Sequence, residues 1–413
     1  MMSQLLLLIA FFGLAHSAQA APAPETPGLL PTSLARALLE QDPSVGAARA
    51  DLEVARQEAG ILESSPYEWS AKLSSQRRTV REGPAYQEWN AGIERPLRLP
   101  GKAEADRNIA KATIEEAEAR YGDALHEAAR ELLSLWLDWL GAERGRELAG
   151  ANRQAAQENL NAVEKRVRAG DASKLDASLA QADLAEQQRV DNDAKTQAAV
   201  TWGRLHARFP GTGREFKVLP ASLPMQQNAA FWRERILIQS DELKTAQAQL
   251  QRAQGQAERA RADKLPDPTV GIYSASEIGG RERITGLTVS MPIPGRQRGQ
   301  RSAKALHFVE VLRQHVELTK RQLEAAIVSA IATAEGTYTS LQLAESGAFA
   351  MQDNTRLMQR AYALGEADLQ ALLLARRQAT AATQNALTAR IEALKSYYLL
   401  LIDAHLVWDL EHD

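Results

Sequence analysis

Residues 166–173 read RVRAGDAS, and residues 361–368, 195 positions further along the chain, read AYALGEAD. In each segment a glycine, Gly170 or Gly365, separates a long stretch without proline from a second stretch rich in alanine and leucine. Glycine readily adopts the positive φ that ends a helix. The pattern therefore predicts that two long helices reverse direction at equivalent turns.

The spacing between these turns recurs elsewhere, which indicates an internal duplication. A Pro-Gly pair at 100–101 returns at 294–295, and Gly141 returns as Gly336. Landmarks that keep one order and nearly one shift are typical of repeated architectures. We divide the chain accordingly into a signal peptide at 1–20, a first repeat at 21–210, a linker at 211–230 and a second repeat at 231–413.

Each repeat is predicted to contain a helix, a β-hairpin, a very long helix and, after the turn glycine, a last helix. The predicted helices cover about 32–63, 102–169 and 172–208 in the first repeat and about 231–264, 296–364 and 367–408 in the second. Each long run would reach about 100 Å at 1.5 Å per residue. The runs contain glycines but no proline, so each is either continuous or divided at its glycines.

Neither long run has a wide apolar face. Residues 152–168 are mostly Ala, Gln, Glu, Asn and Arg, with Leu160 and Val163 three positions apart. A helix that is polar nearly all round is stable where water meets it on more than one side. We therefore expect these helices to form the wall of a water-filled tunnel and to contact one another through alanine seams.

Four short segments alternate between apolar and polar residues, which predicts strands near 67–78, 86–97, 268–276 and 283–292. Alternation of this kind is typical of outer-membrane strands, and it fits an amphipathic hairpin of a soluble protein equally well. In the membrane interpretation, aromatic residues lie at the lipid–water interfaces. The candidates for this role are Tyr67, Trp69, Tyr86 and Trp89.

The number of strands limits how such a sheet could enter a membrane. Four strands are too few to close a transmembrane barrel, because about eight is the minimum. Open sheet edges are not tolerated in lipid. Several chains must therefore contribute strands to one shared barrel, and this argument leaves the number of chains open.

Composition and the chain ends narrow the class of protein. The apolar run Leu5 to Ala15 followed by small residues predicts a secretory signal cleaved after Ala20, with a short N-terminal membrane anchor as the alternative. No cysteine is present, so disulfides are excluded. After this segment the sequence contains no run of 18 apolar residues, so no transmembrane helix is predicted. A net charge of −3 argues against nucleic acid as a partner.

The sequence contains no recognisable catalytic constellation. We find no Ser/His/Asp arrangement, no glycine-rich phosphate loop and no metal-ligand motif. His307 and His315 are eight positions apart, too far for the paired histidines of a helical zinc site. We therefore expect no enzyme activity, no cofactor and no bound metal.

Taken together, the duplication, the two β-hairpins, the two long helices and the two glycine turns resemble the TolC family of outer-membrane efflux channels. The segments RPLRLPGK at 95–102 and MPIPGRQRGQ at 291–300 resemble its cobalt–zinc–cadmium heavy-metal efflux subgroup. The resemblance implies a mainly α chain with a small β part. It implies a homotrimer in the outer membrane, with one shared twelve-stranded β-barrel and one periplasmic α-barrel.

The resemblance also implies partners and sites. A periplasmic adaptor and an inner-membrane pump of the RND type would act with the channel, which would export divalent heavy-metal cations. The alternatives are the same channel role for organic drugs, or a periplasmic coiled-coil adaptor protein. The expected adaptor contacts at the tips are Gly170, Asp171, Ser173, Asp176, Gly365, Glu366 and Asp368. Many members carry an aspartate six residues after the tip glycine; Asp176 fits this pattern, whereas Ala371 departs from it.

Overall fold

The computed structural model describes residues 28–214, 218–408 and 410, so the predicted signal peptide lies outside the described residues. In the first repeat the elements are α1 (Thr32–Glu40), α2 (Pro43–Glu63), β1 (Ser70–Thr79), β2 (Ala85–Pro96), α3 (Pro100–Ala169) and α4 (Lys174–Arg208). In the second they are α5 (Ala229–Gln239), α6 (Asp241–Ala262), β3 (Thr269–Glu277), β4 (Glu282–Ser290), α7 (Arg296–Leu364) and α8 (Leu369–Asp403). A short 3₁₀ turn, Ile278–Gly280, joins β3 to β4. The predicted fold class is confirmed.

The two long helices are continuous. α3 has 70 residues and α7 has 69, so each is about 105 Å long at 1.5 Å per residue. Their internal glycines do not divide them, because a glycine costs a helix only about 1 kcal/mol and partner helices run along much of each length. α3 packs against α2, α4, α6 and α8, and α7 packs against α5, α6 and α8.

The first predicted helix of each repeat is in fact two helices. Asp42 and Pro43 interrupt the run at 32–63: the Asp42 carboxylate accepts a hydrogen bond from the Ser44 amide at 2.8 Å, and Pro43 takes a first-turn position of α2. Ser240 interrupts the run at 231–264 in the same way, since its hydroxyl accepts from the Leu243 amide at 3.2 Å. Each N-cap residue ends one helix and starts the next.

The last helix is shorter than predicted. α8 ends at Asp403 rather than near 408, because His405 and Trp408 adopt positive φ values of 52° and 65°. The Trp408 indole then donates a hydrogen bond to the Leu30 carbonyl oxygen at 3.0 Å. The end of the second repeat is thereby fixed to the start of the first.

All four strands form one antiparallel sheet in the order β1-β2-β3-β4. β1 pairs with β2 and β3 pairs with β4, which makes one hairpin from each repeat. The central pairing of β2 with β3 joins the repeats, with Ile93 opposite Ile272. Among the described residues, β1 and β4 remain as edges.

The largest apolar core surrounds the middle of α3. Leu133, Trp136 and Leu137 of α3 are buried together with Leu394 and Tyr398 of α8, and α1 covers the same cluster. The Trp136 indole donates to the Gly28 carbonyl oxygen at 3.0 Å. This core fixes the relative position of two helical hairpins, α3–α4 and α7–α8. It therefore also fixes the relative position of the turns at their tips, which contain Gly170 and Gly365.

Candidate tip and sheet surfaces

The first tip is a tight reversal between α3 and α4. Gly170 has a φ of +86°, and its amide donates to the Val167 carbonyl oxygen at 3.1 Å while the Asp171 amide donates to the Arg166 carbonyl oxygen at 2.8 Å. These two bonds form a Schellman motif, which needs a residue in the left-handed conformation. Glycine is there because any other residue would be strained.

α4 begins with a reciprocal capping box. The Ser173 hydroxyl accepts from the Asp176 amide at 3.1 Å, and the Asp176 carboxylate accepts from the Ser173 amide at 2.9 Å. The Asp176 carboxylate also accepts from the Ser173 hydroxyl at 2.8 Å. The Asp176 carboxylate is thus used in hydrogen bonds that stabilise the start of α4. Asp171, by contrast, is exposed to solvent.

The second tip has the same backbone and a simpler cap. Gly365 has a φ of +80°, and the Glu366 amide donates to the Ala361 carbonyl oxygen at 2.9 Å. The Asp368 carboxylate accepts from the Ala371 amide at 2.7 Å. Ala371 has no carboxylate to return the bond, so half of the capping box is missing. Glu366 and Asp368 are exposed.

The two tips pack side by side. Leu160, Val163 and Leu184 of the first hairpin share a buried cluster with Leu369 and Leu372 of the second. Polar contacts between the hairpins surround this cluster. The Arg166 guanidinium lies 5.0 Å from the centre of the Tyr362 ring, and Arg377 approaches buried Asp183 at 3.7 Å.

Sequence reasoning did not identify these contacts between the hairpins. Arg166 and Tyr362 are in the segments quoted first, but nothing in their local pattern pairs them, because they belong to different repeats. Each tip also exposes a leucine outside the set of predicted contacts, Leu175 in one tip and Leu364 in the other. An isolated leucine in a polar turn segment is the sequence signal by which Leu175 and Leu364 could have been predicted to be exposed.

The sheet has one apolar and exposed face. Ala71, Ile93, Ile272 and Leu287 lie in one row across the four strands by direct cross-strand pairing. The last three are exposed, with Leu287 at 71%. Exposed apolar residues in a contiguous row mark a surface that contacts another apolar phase or partner.

The opposite face carries charges that are paired with one another. Lys72 contacts Glu94 at 2.6 Å, and Arg78 contacts Glu88 at 3.0 Å and Glu277 at 3.2 Å. Gln76 donates a further hydrogen bond to Glu88 at 2.8 Å, and Glu88 is only 3% exposed. This ladder of pairs crosses three strands and both repeats.

The predicted interfacial aromatics divide into two groups. Trp69 and Trp89 are exposed, and Trp89 lies opposite Ser75 on the apolar face. Tyr86 lies opposite Arg78 on the polar face. Tyr67 precedes β1, and its hydroxyl donates to the Asp267 carboxylate. Only the two tryptophans are therefore placed where an apolar phase could reach them.

A buried polar cluster joins the sheet to the helices. Lys102, at the start of α3 and only 2% exposed, contacts Asp267 at 3.0 Å and Asp263 at 3.1 Å. Asp267 also accepts from the Leu99 amide at 3.1 Å. Because both aspartates belong to the second repeat, the cluster holds the repeats together at the base of the sheet.

An open groove of about 1200 Å³ lies between α4 and α8, and α3 forms its floor. Gly141 and Gly145 on that floor let α8 approach α3 closely. Opposite charges meet across the groove edge, where Lys395 contacts Asp138 at 2.5 Å. The groove is open to solvent along its length and is not an enclosed cavity.

The described residues include neither a candidate membrane-spanning helix nor a candidate metal site. None of the helices there is both long and apolar enough to cross a membrane. Within the same residues, no group of three or more His, Cys, Asp or Glu side chains is arranged to hold a metal ion.

The sequence is similar to a known family and to two characterised proteins. The family model described as Outer membrane efflux protein matches residues 34–208. The nickel-cobalt-cadmium resistance protein NccC of Alcaligenes xylosoxydans xylosoxydans is 27% identical over 327 residues, which is 78% of this chain and 72% of that protein. The cobalt-zinc-cadmium resistance protein CzcC of Cupriavidus metallidurans is 24% identical over 212 residues, half of each chain.

A solved structure shares the fold of nearly the whole chain. The outer membrane channel CmeC of Campylobacter jejuni superposes with a TM-score of 0.69 at 14% identity, over 92% of this chain and 86% of that one. The similarity covers both repeats, whereas the family model covers the first. At this identity the likeness shows the fold alone.

Proposed function

We propose, from the match of residues 34–208 to the outer membrane efflux protein family, that the chain is the outer-membrane channel through which a tripartite efflux system releases divalent metal cations. The observation that carries the proposal is the sheet. One face of the sheet has an exposed apolar row, and the opposite face has paired charges. Such a sheet suits lipid on one side and water on the other.

The helices extend this path away from the membrane. α3 and α7 are each about 105 Å long and polar over much of their surface, which suits the wall of a water-filled duct in the periplasm. One chain supplies four strands, so the duct needs further copies. The family resemblance supports three copies and a shared barrel of twelve strands.

Transport through this subunit is passive. The sequence has no nucleotide-binding motif, so energy enters from a partner, an inner-membrane pump of the RND type joined through a periplasmic adaptor. Within this proposal the chain catalyses no reaction, and it needs no resident cofactor.

Divalent metals are the proposed cargo because two relatives are named as metal resistance proteins. Deleting the gene is expected to sensitise cells to zinc, cobalt or cadmium, and the intact gene is expected to restore tolerance. Growth on organic drugs is the control. Unchanged metal tolerance with increased drug sensitivity would assign the same channel to organic compounds.

The tips are the proposed adaptor contact. Replacing Gly170 or Gly365 would disturb the turn together with any docking, since both are at positive φ. Leu364 and Leu175 are exposed beside the turns. Substitutions at these leucines therefore test docking of the adaptor without changing the glycine that forms each turn. Leu364→Lys and Leu175→Lys are expected to lower metal tolerance while the channel still assembles. Leu223→Lys, at an exposed leucine of the linker, is the matched control.

The docking role would be excluded if both tip variants retained full tolerance. The measurements are metal tolerance and co-purification with the adaptor, each compared with the amount of channel in the outer membrane.

A further inference from the structure

The apolar face of the sheet changes character near the turns between its strands. Along β4 this face carries Val289, Leu287, Thr285 and then Arg283, which occupy every second position. Val289 and Arg283 are six residues apart, so about 20 Å separates them at the usual rise of a strand. The apolar band of an outer-membrane sheet is about 25 Å tall. Arg283 is therefore placed at one rim of such a band.

Four arginines lie at this rim and in the turns next to it. Arg283 is in the same cross-strand row as Trp89, and Arg77 lies one cross-strand pair beyond that row on the same face. The other two, Arg81 and Arg281, belong to the turns. All four side chains are exposed. Within the described residues, none of the four forms an ion pair with a carboxylate.

Arg78 shows how an arginine on the other face of the sheet is used at this end. It follows Arg77 directly in β1, and successive strand residues point to opposite faces. Arg78 contacts buried Glu88 at 3.0 Å and Glu277 at 3.2 Å. These carboxylates lie on the polar face, away from Arg77. Glu82 in the first turn is exposed and adds a single negative charge beside the arginines.

At the helix end of the sheet, arginines are held by other groups of the protein. The Arg95 guanidinium lies 5.7 Å from the centre of the Trp69 ring, and its Nε donates to the Tyr67 carbonyl oxygen at 2.9 Å. Arg98, which follows β2, pairs with Asp106 at 3.1 Å. Within the described residues, unpaired arginines are thus concentrated at the end of the apolar face that is farthest from the helices.

A guanidinium beside an apolar surface favours a particular kind of ligand. Its planar set of donors matches the oxygens of a phosphate group, and its aliphatic stem can lie along apolar surface while the charge stays in the interface. A membrane lipid with a phosphorylated headgroup offers an anion and acyl chains together. The exposed row of Ile93, Ile272 and Leu287 is on the same face as Arg77 and Arg283, and this continuity favours a lipid over a free anion.

We propose that an arginine rim binds the phosphate groups of the lipid in the outer leaflet of the outer membrane. The arginine rim consists of Arg77, Arg81, Arg281 and Arg283. The inference rests on the proposed function, which puts the helices in the periplasm and therefore puts the turn end of the sheet in the outer leaflet. Because the phosphates mark the surface of that leaflet, the arginine rim fixes the depth of the sheet in the membrane.

Arg77 and Arg78 supply a matched pair of variants for the test. Arg77→Gln and Arg78→Gln each remove one charge at the same end of the same strand, but only Arg77 is on the apolar face. The probe is lipid A, a glycolipid with phosphate groups, compared with the same lipid after the phosphates have been removed. Native mass spectrometry of the purified channel in detergent counts the lipid bound to each chain.

The unmodified protein is expected to bind phosphorylated lipid A more tightly than the dephosphorylated lipid. Arg77→Gln should weaken binding of the phosphorylated lipid about fivefold, and Arg77→Gln/Arg283→Gln about 25-fold, at roughly fivefold for each arginine near an anionic lipid. Arg78→Gln should leave the affinity unchanged, because Arg78 faces the other side of the sheet.

A second control is needed because Arg78→Gln also removes a partner of buried Glu88. Arg168→Gln/Arg360→Gln removes two charges from exposed positions near the far ends of α3 and α7, and it should bind lipid A as the unmodified protein does. Equal binding of the two lipids by the unmodified protein would overturn the proposal. So would equal losses in this control and in Arg77→Gln/Arg283→Gln, or displacement of lipid A by equimolar inorganic phosphate.

The outcome is independent of the transport assay. A preference for phosphorylated lipid that depends on Arg77, together with unchanged metal tolerance in the deletion strain, would support the arginine rim and remove the proposed cargo. Equal binding of the two lipids by a channel that restores metal tolerance would remove the arginine rim and leave the function.

Discussion

The boundary between the repeats inside the chain differs from the boundary that each repeat leaves open. Inside, Leu133, Trp136 and Leu137 of α3 are fully buried with Leu394 and Tyr398 of α8. On the open side the positions equivalent to Leu137, Leu394 and Tyr398, at the repeat shift of 195, are small and exposed, namely Ala332, Ala199 and Gly203. The position equivalent to Trp136 is Ile331, which is buried against α5 instead. The internal boundary stabilises one chain, whereas a contact at the open boundary would need a second copy.

This difference explains how one duplicated hairpin serves two purposes. Large apolar side chains at the internal boundary supply folding free energy at about 25 cal/mol per Å² of apolar surface buried. Large apolar side chains on the open faces would be exposed before assembly and would promote aggregation. Small side chains such as Ala332, Ala199 and Gly203 reduce that exposure and still permit close helix contacts.

The largest expected effect concerns the ion pairs at the internal boundary. Lys102→Met leaves Asp267 buried with one partner fewer, and breaking a buried pair in this way costs about 3–5 kcal/mol. We expect a lower free energy of unfolding in detergent, measured by circular dichroism. Lys111→Met is the control, because Lys111 is exposed and contacts only Glu115 at 3.5 Å. Equal stability of the two variants would contradict the account.

The next effect compares equivalent positions on the two boundaries. Leu137→Ala removes a fully buried side chain and should cost about 2–5 kcal/mol. The equivalent α7 residue is exposed Ala332, and Ala332→Leu should change the stability of one chain by less than about 0.5 kcal/mol. The second variant should instead reduce assembly, measured by light scattering. A reversal of these two results would mean that the boundaries are wrongly assigned.

Acidification should weaken the internal boundary through His405. The His405 ring stacks on His126 of α3 with 5.8 Å between centroids, and burial lowers the pKa of His405 to about 4. Asp241 partly opposes this shift. The unfolded chain protonates near pH 6.5 and the folded chain only near pH 4, so this group lowers stability as the pH falls through that window.

His405→Asn is the test of this effect, since asparagine tolerates the positive φ of 52° at this position. The loss of melting temperature between pH 6.5 and pH 4 should be smaller in the variant than in the parent. Asp123, whose pKa is raised by burial, and Asp403 contribute to both curves. The comparison of the two curves therefore removes their contributions. Parallel curves would show that His405 titrates normally.

The smallest effect lies at the tips. Tyr362→Leu removes the ring beneath Arg166 and should cost about 0.5–1 kcal/mol. The positions equivalent to this pair across the open boundary are Ala361 and Val167, so the contact belongs to the internal boundary alone. Arg166→Gln should reproduce the loss, and the double variant should lose no more than either single change. Additive losses would show that the two side chains are not coupled.

Much of the helical framework could be predicted from the sequence. The predicted bounds of α7 agree with the structure, and the four strands lie within three residues of their predicted positions. The turns at Gly170 and Gly365 are also confirmed, because their signal is local: a glycine at the end of a long run without proline. The resemblance to the outer-membrane efflux family is confirmed as well.

The rest depends on contacts between distant parts of the chain. Lys102 with Asp267, and Arg166 with Tyr362, join residues of different repeats, and no periodicity pairs them. The breaks at Asp42 and Ser240 were missed because the runs around them remain helical in pattern on both sides. Their N-cap residues were readable, and Pro43 was the stronger signal.

The most direct measurement of the central claim is conductance. Purified protein reconstituted in a planar lipid bilayer is predicted to carry a steady ion current without any added energy source. The current should appear in units of one size, because one assembled ring forms one pore. A preparation that is assembled and membrane-inserted but passes no current, or one that hydrolyses ATP, would contradict the account.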